Sequence, residues 1–129
     1  MDDCIFCKMA NGEIPIERIY ESDNFFSILD QDPALEGHSL VISKKHFETA
    51  LDLPNSLAPE LLDAIKSTSL KLIERFNAEG INIISNVKEA AEQTVNHLHV
   101  HIIPRKKLDK GRLKFVDKDS GKSIMLRDK

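Results

Sequence analysis

The stretch His97-Leu98-His99-Val100-His101-Ile102-Ile103 constrains this chain more than any other. It sets three imidazoles on alternate residues, with only apolar residues between and after them. In a strand successive side chains take opposite faces, so His97, His99 and His101 share one face and Leu98, Val100 and Ile102 the other. The apolar face can enter a core while the opposite face carries three nitrogen bases. An ordinary half-buried strand would be served by Thr, Lys or Glu on its wet side. Histidine instead changes charge, attacks phosphorus and binds metal near neutral pH. The pattern therefore predicts both a strand and a chemical site.

Around that strand, short β-rich runs occur at 16–20, 25–29, 39–43 and 81–85. Asp23-Asn24 and the stretch 30–37 read as turns or loops. Residues 57–78 read as one long helix. Leu61, Leu62, Ile65, Leu72, Ile73 and Phe76 form an apolar stripe at helical spacing, expected to be core; Asn55 or Ser56 offers a cap, and Gly80 lies just past the end. Strands without regular β-α-β alternation, plus one long helix, give an α+β fold with an antiparallel sheet covered by the helix.

At 129 residues, and with no linker or repeat, residues 1–107 suit one domain with a single core. Residues 108–129 form a basic tail in which Leu113–Val116 and Ser123–Leu126 flank the turn Asp119-Ser120-Gly121, a possible small hairpin. The net charge of −3 hides an asymmetry: residues 1–104 hold 8 Lys/Arg against 17 Asp/Glu, and residues 105–129 hold 10 against 4. The tail could touch phosphates, RNA or a partner subunit, or simply be solvated. An acidic body argues against general nucleic-acid binding, which rests on neutralising phosphate. No apolar run approaches the ~20 residues of a membrane helix, and Met1-Asp2-Asp3 lacks the pattern of a signal peptide. The expectation is a cytoplasmic protein without membrane association.

The heptad His97–Ile103 resembles the signature His-φ-His-φ-His-φ-φ, with φ apolar, of the histidine-triad nucleotide hydrolases and transferases. The likeness extends to Gln93-Thr94-Val95 and Pro104-Arg105. Upstream it takes in Cys4-Ile5-Phe6-Cys7, Gly12-Glu13-Ile14-Pro15, Asp30, Gly37-His38-Ser39-Leu40-Val41-Ile42 and Lys44-Lys45-His46, covering roughly residues 4 to 105. It implies a five-stranded antiparallel sheet with one long helix, usually extended across a homodimer. It also implies a nucleotide-binding enzyme that cleaves a nucleoside 5′-monophosphate from its leaving group, a phosphoramidate or phosphoanhydride, through a nucleotidyl-histidine.

Metal and nucleophile compete for the histidines. At ~3.3 Å per residue, His97 and His101 stand about 13 Å apart, too far for one ion with ~2.1 Å bonds to collect all three. Cys4 and Cys7, the only cysteines, have C-x2-C spacing. A disulfide is disfavoured in a reducing cytosol, which leaves zinc or two small buried thiols. His46 and His97 are the natural completing ligands, and zinc-containing members of the family are similar in using these four positions. Four protein ligands would make such zinc structural.

The resemblance assigns the remaining roles. His99 attacks the α-phosphorus, His101 donates to a phosphate oxygen or the departing group, and His38 supports the triad, although it could be an ordinary satisfied histidine. Asn86, Gln93 and Thr94 fall at phosphate-contacting positions. Asp30 matches the ribose-binding acid, with a turn residue as its plainer reading. Ile5, Phe6, Met9 and Ile28 match the walls of the base pocket for a purine nucleotide or conjugate, and each alone would read as core. One departure stands out: Glu92 replaces the usual glycine before Gln93. Two other functions stay open, a nucleotide-binding regulator with vestigial activity and a zinc hydrolase using His97 and His99 on an open metal.

Overall fold

The structure, a computed structural model, describes residues 3–109, 112–116 and 123–127, the last two stretches by backbone alone. Its centre is a five-stranded antiparallel sheet in the order β1-β2-β3-β5-β4. The strands are β1 (Tyr20–Glu21), β2 (Phe25–Leu29), β3 (Ser39–Ser43), β4 (Gly80–Ile84) and β5 (His99–Arg105). One long helix, α2 (Ala58–Phe76), covers one face and a short one, α1 (Ile5–Ala10), lies on the other. The expected α+β architecture is present.

Two covered faces explain why β2 and β3 read as continuous apolar runs and not as alternation. Phe25, Val41, Val100 and Ile102 pack with Ala64 and Leu72 of α2. Phe26, Ile28, Leu40 and Ile42 point the other way, against Phe6 and Met9 of α1. The register pairs Leu40 with His101 and Ile42 with His99, so both histidines share the α1 face. The β1–β2 turn is held by Glu60 at the start of α2, whose carboxylate accepts from Ser22 Oγ (2.6 Å), Asn24 N (2.7 Å) and Asn24 Nδ2 (2.8 Å). Those bonds, the Asn24 side chain first, hold its carboxyl below the usual range.

Several boundaries differ from the sequence expectation. The first strand shrinks from 16–20 to Tyr20–Glu21, because residues 16–19 round the sheet edge. Ile16 packs on the α1 side and Ile19 on the α2 side. β5 starts at His99, not His97, because Leu98 N is taken by the Phe47 carbonyl (2.6 Å) outside the ladder. It runs on through Pro104, which tolerates this position because β3 has already ended opposite Ile102. β4 lies one residue earlier than expected.

Neither Asn55 nor Ser56 caps α2. Both sit in a 3₁₀ turn, Leu57 is the N-cap without a side-chain bond, and Asn77 (φ 53°) closes the helix before Gly80 opens β4. The expected core stripe is also too wide: Leu62 is 55% and Ile73 37% exposed, while Ala64, Thr68 and Leu72 form the buried line. Helix α1 was not anticipated. In the tail, β6 (Arg112–Val116) pairs antiparallel with β7 (Ser123–Arg127), and the turn Asp119-Ser120-Gly121 lies outside the described residues. Among the described residues no helix is long and apolar enough to cross a membrane.

Gly37 shows how tightly the loop before β3 is drawn in. Its φ is +84°, and a Cβ there would lie 2.8 Å from Phe76 Cδ2 and 3.0 Å from Pro104 Cγ. Gly37→Ala should therefore lower stability by roughly 1–3 kcal/mol, combining a positive φ with a clash against the half-buried Phe76 ring and the buried Pro104 ring. Urea unfolding checks this, with the midpoint falling at unchanged slope.

Candidate active site

Helix α1 carries the first half of the site. Cys4 is its N-cap, with Sγ accepting from Cys7 N (3.3 Å), and Asn11 ends it, so the two cysteines fall on one turn. That turn faces His46, just after β3, and His97, just before β5. His97 Nδ1 lies 3.2 Å from Cys4 Sγ, 3.4 Å from Cys7 Sγ and 3.2 Å from His46 Nδ1, and Cys7 Sγ is 3.3 Å from His46 Nδ1. Ligands held ~2.0–2.3 Å from one tetrahedral ion stand ~3.3–3.8 Å apart, so the four expected positions fit a metal. The tautomer fits as well. His97 Nε2–H donates to the Ser43 carbonyl (2.6 Å), leaving the Nδ1 lone pair toward the sulfurs. Burial pushes the His97 pKa down to about 4, against the pull of that bond. Burial, then Cys4, pushes the Cys7 thiol up to about 11. A cation would reverse the second effect and use the first.

Two residues on, the His99 ring is set by the backbone. Its Nδ1–H donates to the His97 carbonyl (2.7 Å), so Nε2 carries the lone pair. Phe6 stands edge-on to both rings, with centroids 5.1 Å from His99 and 5.7 Å from His97. His101 is fixed by a chain. Ala34 N–H donates to His38 Nδ1 (2.9 Å), so His38 holds its proton on Nε2 and donates to His101 Nδ1 (2.9 Å). His101 therefore carries its own proton on Nε2. Asp30 Oδ2 lies 3.6 Å from His38 Nε2, a second acceptor beside that proton.

Asp30, His38 and His101 also lie close enough to share an ion. A metal on His38 Nε2 would require the proton on Nδ1, facing the Ala34 donor. The three are a hydrogen-bond chain by that argument. His97 and His99 do not converge on one point either, since their Nδ1 atoms face the sulfurs and a carbonyl respectively.

These groups open on a cavity of about 300 Å³, lined among others by Ile5, Phe6, Met9, Ile28, Asp30, His38, Thr94, His99 and His101. Asp30 is at once a turn residue and a wall: Oδ1 accepts from Asp32 N (3.0 Å), and the residue lines the cavity with Oδ2 3.6 Å from His38 Nε2. Asn86 and Gln93 are not among the lining residues. Gln93 spends its amide on the backbone, donating to Glu48 O (2.6 Å) and Val95 O (2.9 Å) and accepting from Lys88 N (2.8 Å). Asn86 Nδ2 reaches Glu92 O at 3.5 Å. Glu92 adopts φ 68°, ψ 34°, a conformation glycine reaches freely. Sequence reasoning missed the backbone partners Ala34, Ser43 and His97 O, which leave no trace in side-chain identity. It also missed α1, whose only signals are the i,i+3 cysteines and Asn11-Gly12.

The HIT domain family model matches residues 11–108. The chain belongs to that family. An adenosine 5′-monophosphoramidase from Candida albicans is 37% identical over 107 residues, 80% of this chain and 70% of that protein. An adenylylsulfatase from Arabidopsis thaliana is 37% identical over 108 residues, 84% of this chain but only 55% of that longer protein. The HIT fold is equally clear in solved structures. A zinc-bound histidine triad protein from Mycobacterium smegmatis superposes with TM-score 0.71 at 38% identity, covering 84% of this chain and 79% of that one.

The shift at His97 has a measurable consequence for chelator-treated protein. Its folded pKa lies below the unfolded value of 6.5, so its contribution is present above pH 6.5 and lost as pH falls toward 4. Metal-free HIT domain should lose up to about 3 kcal/mol across that window from this residue, read by urea unfolding at several pH values. His97→Gln in the same metal-free state should flatten the decline.

Proposed function

We propose that this HIT domain hydrolyses a nucleoside 5′-monophosphate from its leaving group by way of a nucleotidyl-His99 intermediate. The observation that carries the reading is the 2.7 Å contact of His99 Nδ1 with the His97 carbonyl: the carbonyl accepts from Nδ1–H, which leaves the lone pair on Nε2 of a buried ring beside the cavity. Attack by Nε2 on the α-phosphorus forms a P–N bond as the bond to the leaving group breaks. Water then breaks the P–N bond, releasing the nucleotide and restoring the lone pair, so one hard displacement becomes two. His101 Nε2–H donates to the phosphoryl group, Asp30 Oδ2 accepts from the ribose hydroxyls, and Ile5, Phe6, Met9 and Ile28 hold a purine. Thr94 contacts the phosphate. The bonds at Gln93 and Asn86 support a bracing role for both, holding the loop that presents Thr94. The named relatives above support the class of substrate.

Cys4, Cys7, His46 and His97 would hold zinc, a closed site that fastens α1 to the sheet and takes no part in bond making. Such thiolates suit a reducing cytoplasm. The catalytic unit is residues 1–107, with 108–129 appended. A second copy of the chain is the fitting partner. β4 is an edge strand with Ile83 54% exposed, and Leu62, Leu70 and Ile73 form an exposed apolar stripe on α2. Joining two β4 edges would cover both.

His99→Ala should cut turnover by ~10³-fold or more while nucleotide binding stays near normal, because the covalent route itself is removed. Wild-type rates in that variant, measured on an adenosine phosphoramidate and a mixed anhydride, would discard the mechanism.

Asp30→Ala should weaken AMP binding by ~1–3 kcal/mol and leave a 2′,3′-dideoxy analogue nearly unaffected. Equal losses for both ligands would return Asp30 to its turn alone. Metal analysis of purified protein should find one zinc per chain, absent in Cys4→Ser/Cys7→Ser, with a lower Tm but residual activity at low temperature. Immediate loss of catalysis on chelation, with the fold intact, would instead make the metal catalytic.

A further inference from the structure

A second cavity, of about 410 Å³, opens on the α2 face, where residues 16–19 round the sheet edge. Among the described residues, it has no lining residue in common with the cavity beside His99. We propose that this second cavity binds a small amphipathic monoanion, a carboxylate on a flexible hydrocarbon chain, held by Lys71 and Arg75.

Its walls are aliphatic. Ile19, Leu29 and the buried Leu72 belong to the core under α2, and Ile16 adds a further aliphatic side chain. Among the described residues no aromatic ring lines the space. That suits a hydrocarbon chain, whereas a flat heterocycle gains most from a ring to stack on. The volume falls in the ~300–1,000 Å³ range of small-molecule sites, which are largely apolar with a few polar groups that fix orientation.

Here those polar groups are cationic. Residues 1–104 hold 8 Lys/Arg in an acidic body, yet Arg18, Lys71 and Arg75 all line this one cavity. Arg18 is already committed: its guanidinium bonds Glu21 (2.6 Å) and the Met9 carbonyl (2.8 Å) and lies over Phe26, on the α1 face. Lys71 Nζ donates to the Ile19 carbonyl (2.8 Å), which sets the ammonium beside a lining residue with two further N–H donors. Arg75 stands one turn further along α2, its guanidinium 5.3 Å from the Phe76 ring. Neither Lys71 nor Arg75 pairs with a carboxylate among the described residues. Like charges at this helical spacing repel, and an anion held between them turns repulsion into attraction. Glu17, exposed, is the one acid among the described lining residues. Set against Lys71 and Arg75 it leaves one net positive charge, so a monoanion balances the site and a phosphate dianion overshoots it.

Octanoate titrated into the zinc-loaded protein tests the inference, followed by calorimetry and amide chemical shifts. Binding should saturate, with shifts centred on residues 16–19, 29 and 71–75, and saturating AMP should leave it undisturbed. Octylamine, of equal chain length and opposite charge, should not bind there. Arg75→Glu should weaken octanoate by about tenfold or more, the loss of one charge-assisted contact, and Arg75→Lys should weaken it far less. Arg75 is exposed, so both variants should fold as the wild type does. Octylamine binding as well as octanoate overturns the proposal, as does an affinity unchanged in Arg75→Glu. Shifts at Phe6 and Ile28 that AMP abolishes would place the ligand in the other cavity and also overturn it. So would the absence of saturation at millimolar octanoate.

Discussion

His97 is the residue on which both halves of the site depend. Its Nδ1 faces the two sulfurs and His46, its Nε2–H donates to the Ser43 carbonyl, and its own carbonyl accepts from His99 Nδ1–H. One residue thus ties the N-terminal helix to the sheet and sets the tautomer of its neighbour. It is fully buried, so each polar atom needs a partner. The ladder stops short of it because the next amide, Leu98 N–H, is taken by the Phe47 carbonyl.

The same logic runs through the other histidines. A buried imidazole costs least when neutral, and a neutral imidazole has one donor and one acceptor. Each ring here meets a partner that decides which nitrogen is which: a carbonyl for His97 and His99, an amide for His38 and, through it, a nitrogen for His101. The three histidines of the heptad thereby meet three different sets of partners. Spacing alone separates them along the strand, and the partners separate them chemically.

This explains what the sequence could and could not reveal. Strands β2 and β3 were legible to the residue because their apolar runs sit between turn signals. The sharing of one face by His99 and His101 followed from the two-residue period. The grouping of Cys4, Cys7, His46 and His97 was legible because each is a metal-binding type, and the cavity gathers Asp30, His38 and the apolar walls as the resemblance implied. The start of β5, the edge-rounding at 16–19 and the exposed side of α2 were not legible. They depend on what lies across the fold: the Phe47 carbonyl, two cores on opposite faces, and the part of α2 that neither core covers. The tautomers were hidden for a stronger reason, since their determinants are backbone groups that any side chain would carry.

The loop before β5 shows how a side chain can hold strained backbone. Glutamine at 93 suggests a group offered to a phosphate, yet its three bonds go to Glu48, Val95 and Lys88. Two non-glycine residues there hold positive φ, Lys88 at 75° and Glu92 at 68°. Such backbone costs of order 1–3 kcal/mol each and persists only where the surroundings over-determine it. Gln93 is the residue that over-determines it, bonding Lys88 through both its side chain and its own N–H (3.1 Å). Glu92 can therefore replace a glycine: the bend is imposed from the neighbouring position, and residue 92 needs only to endure it.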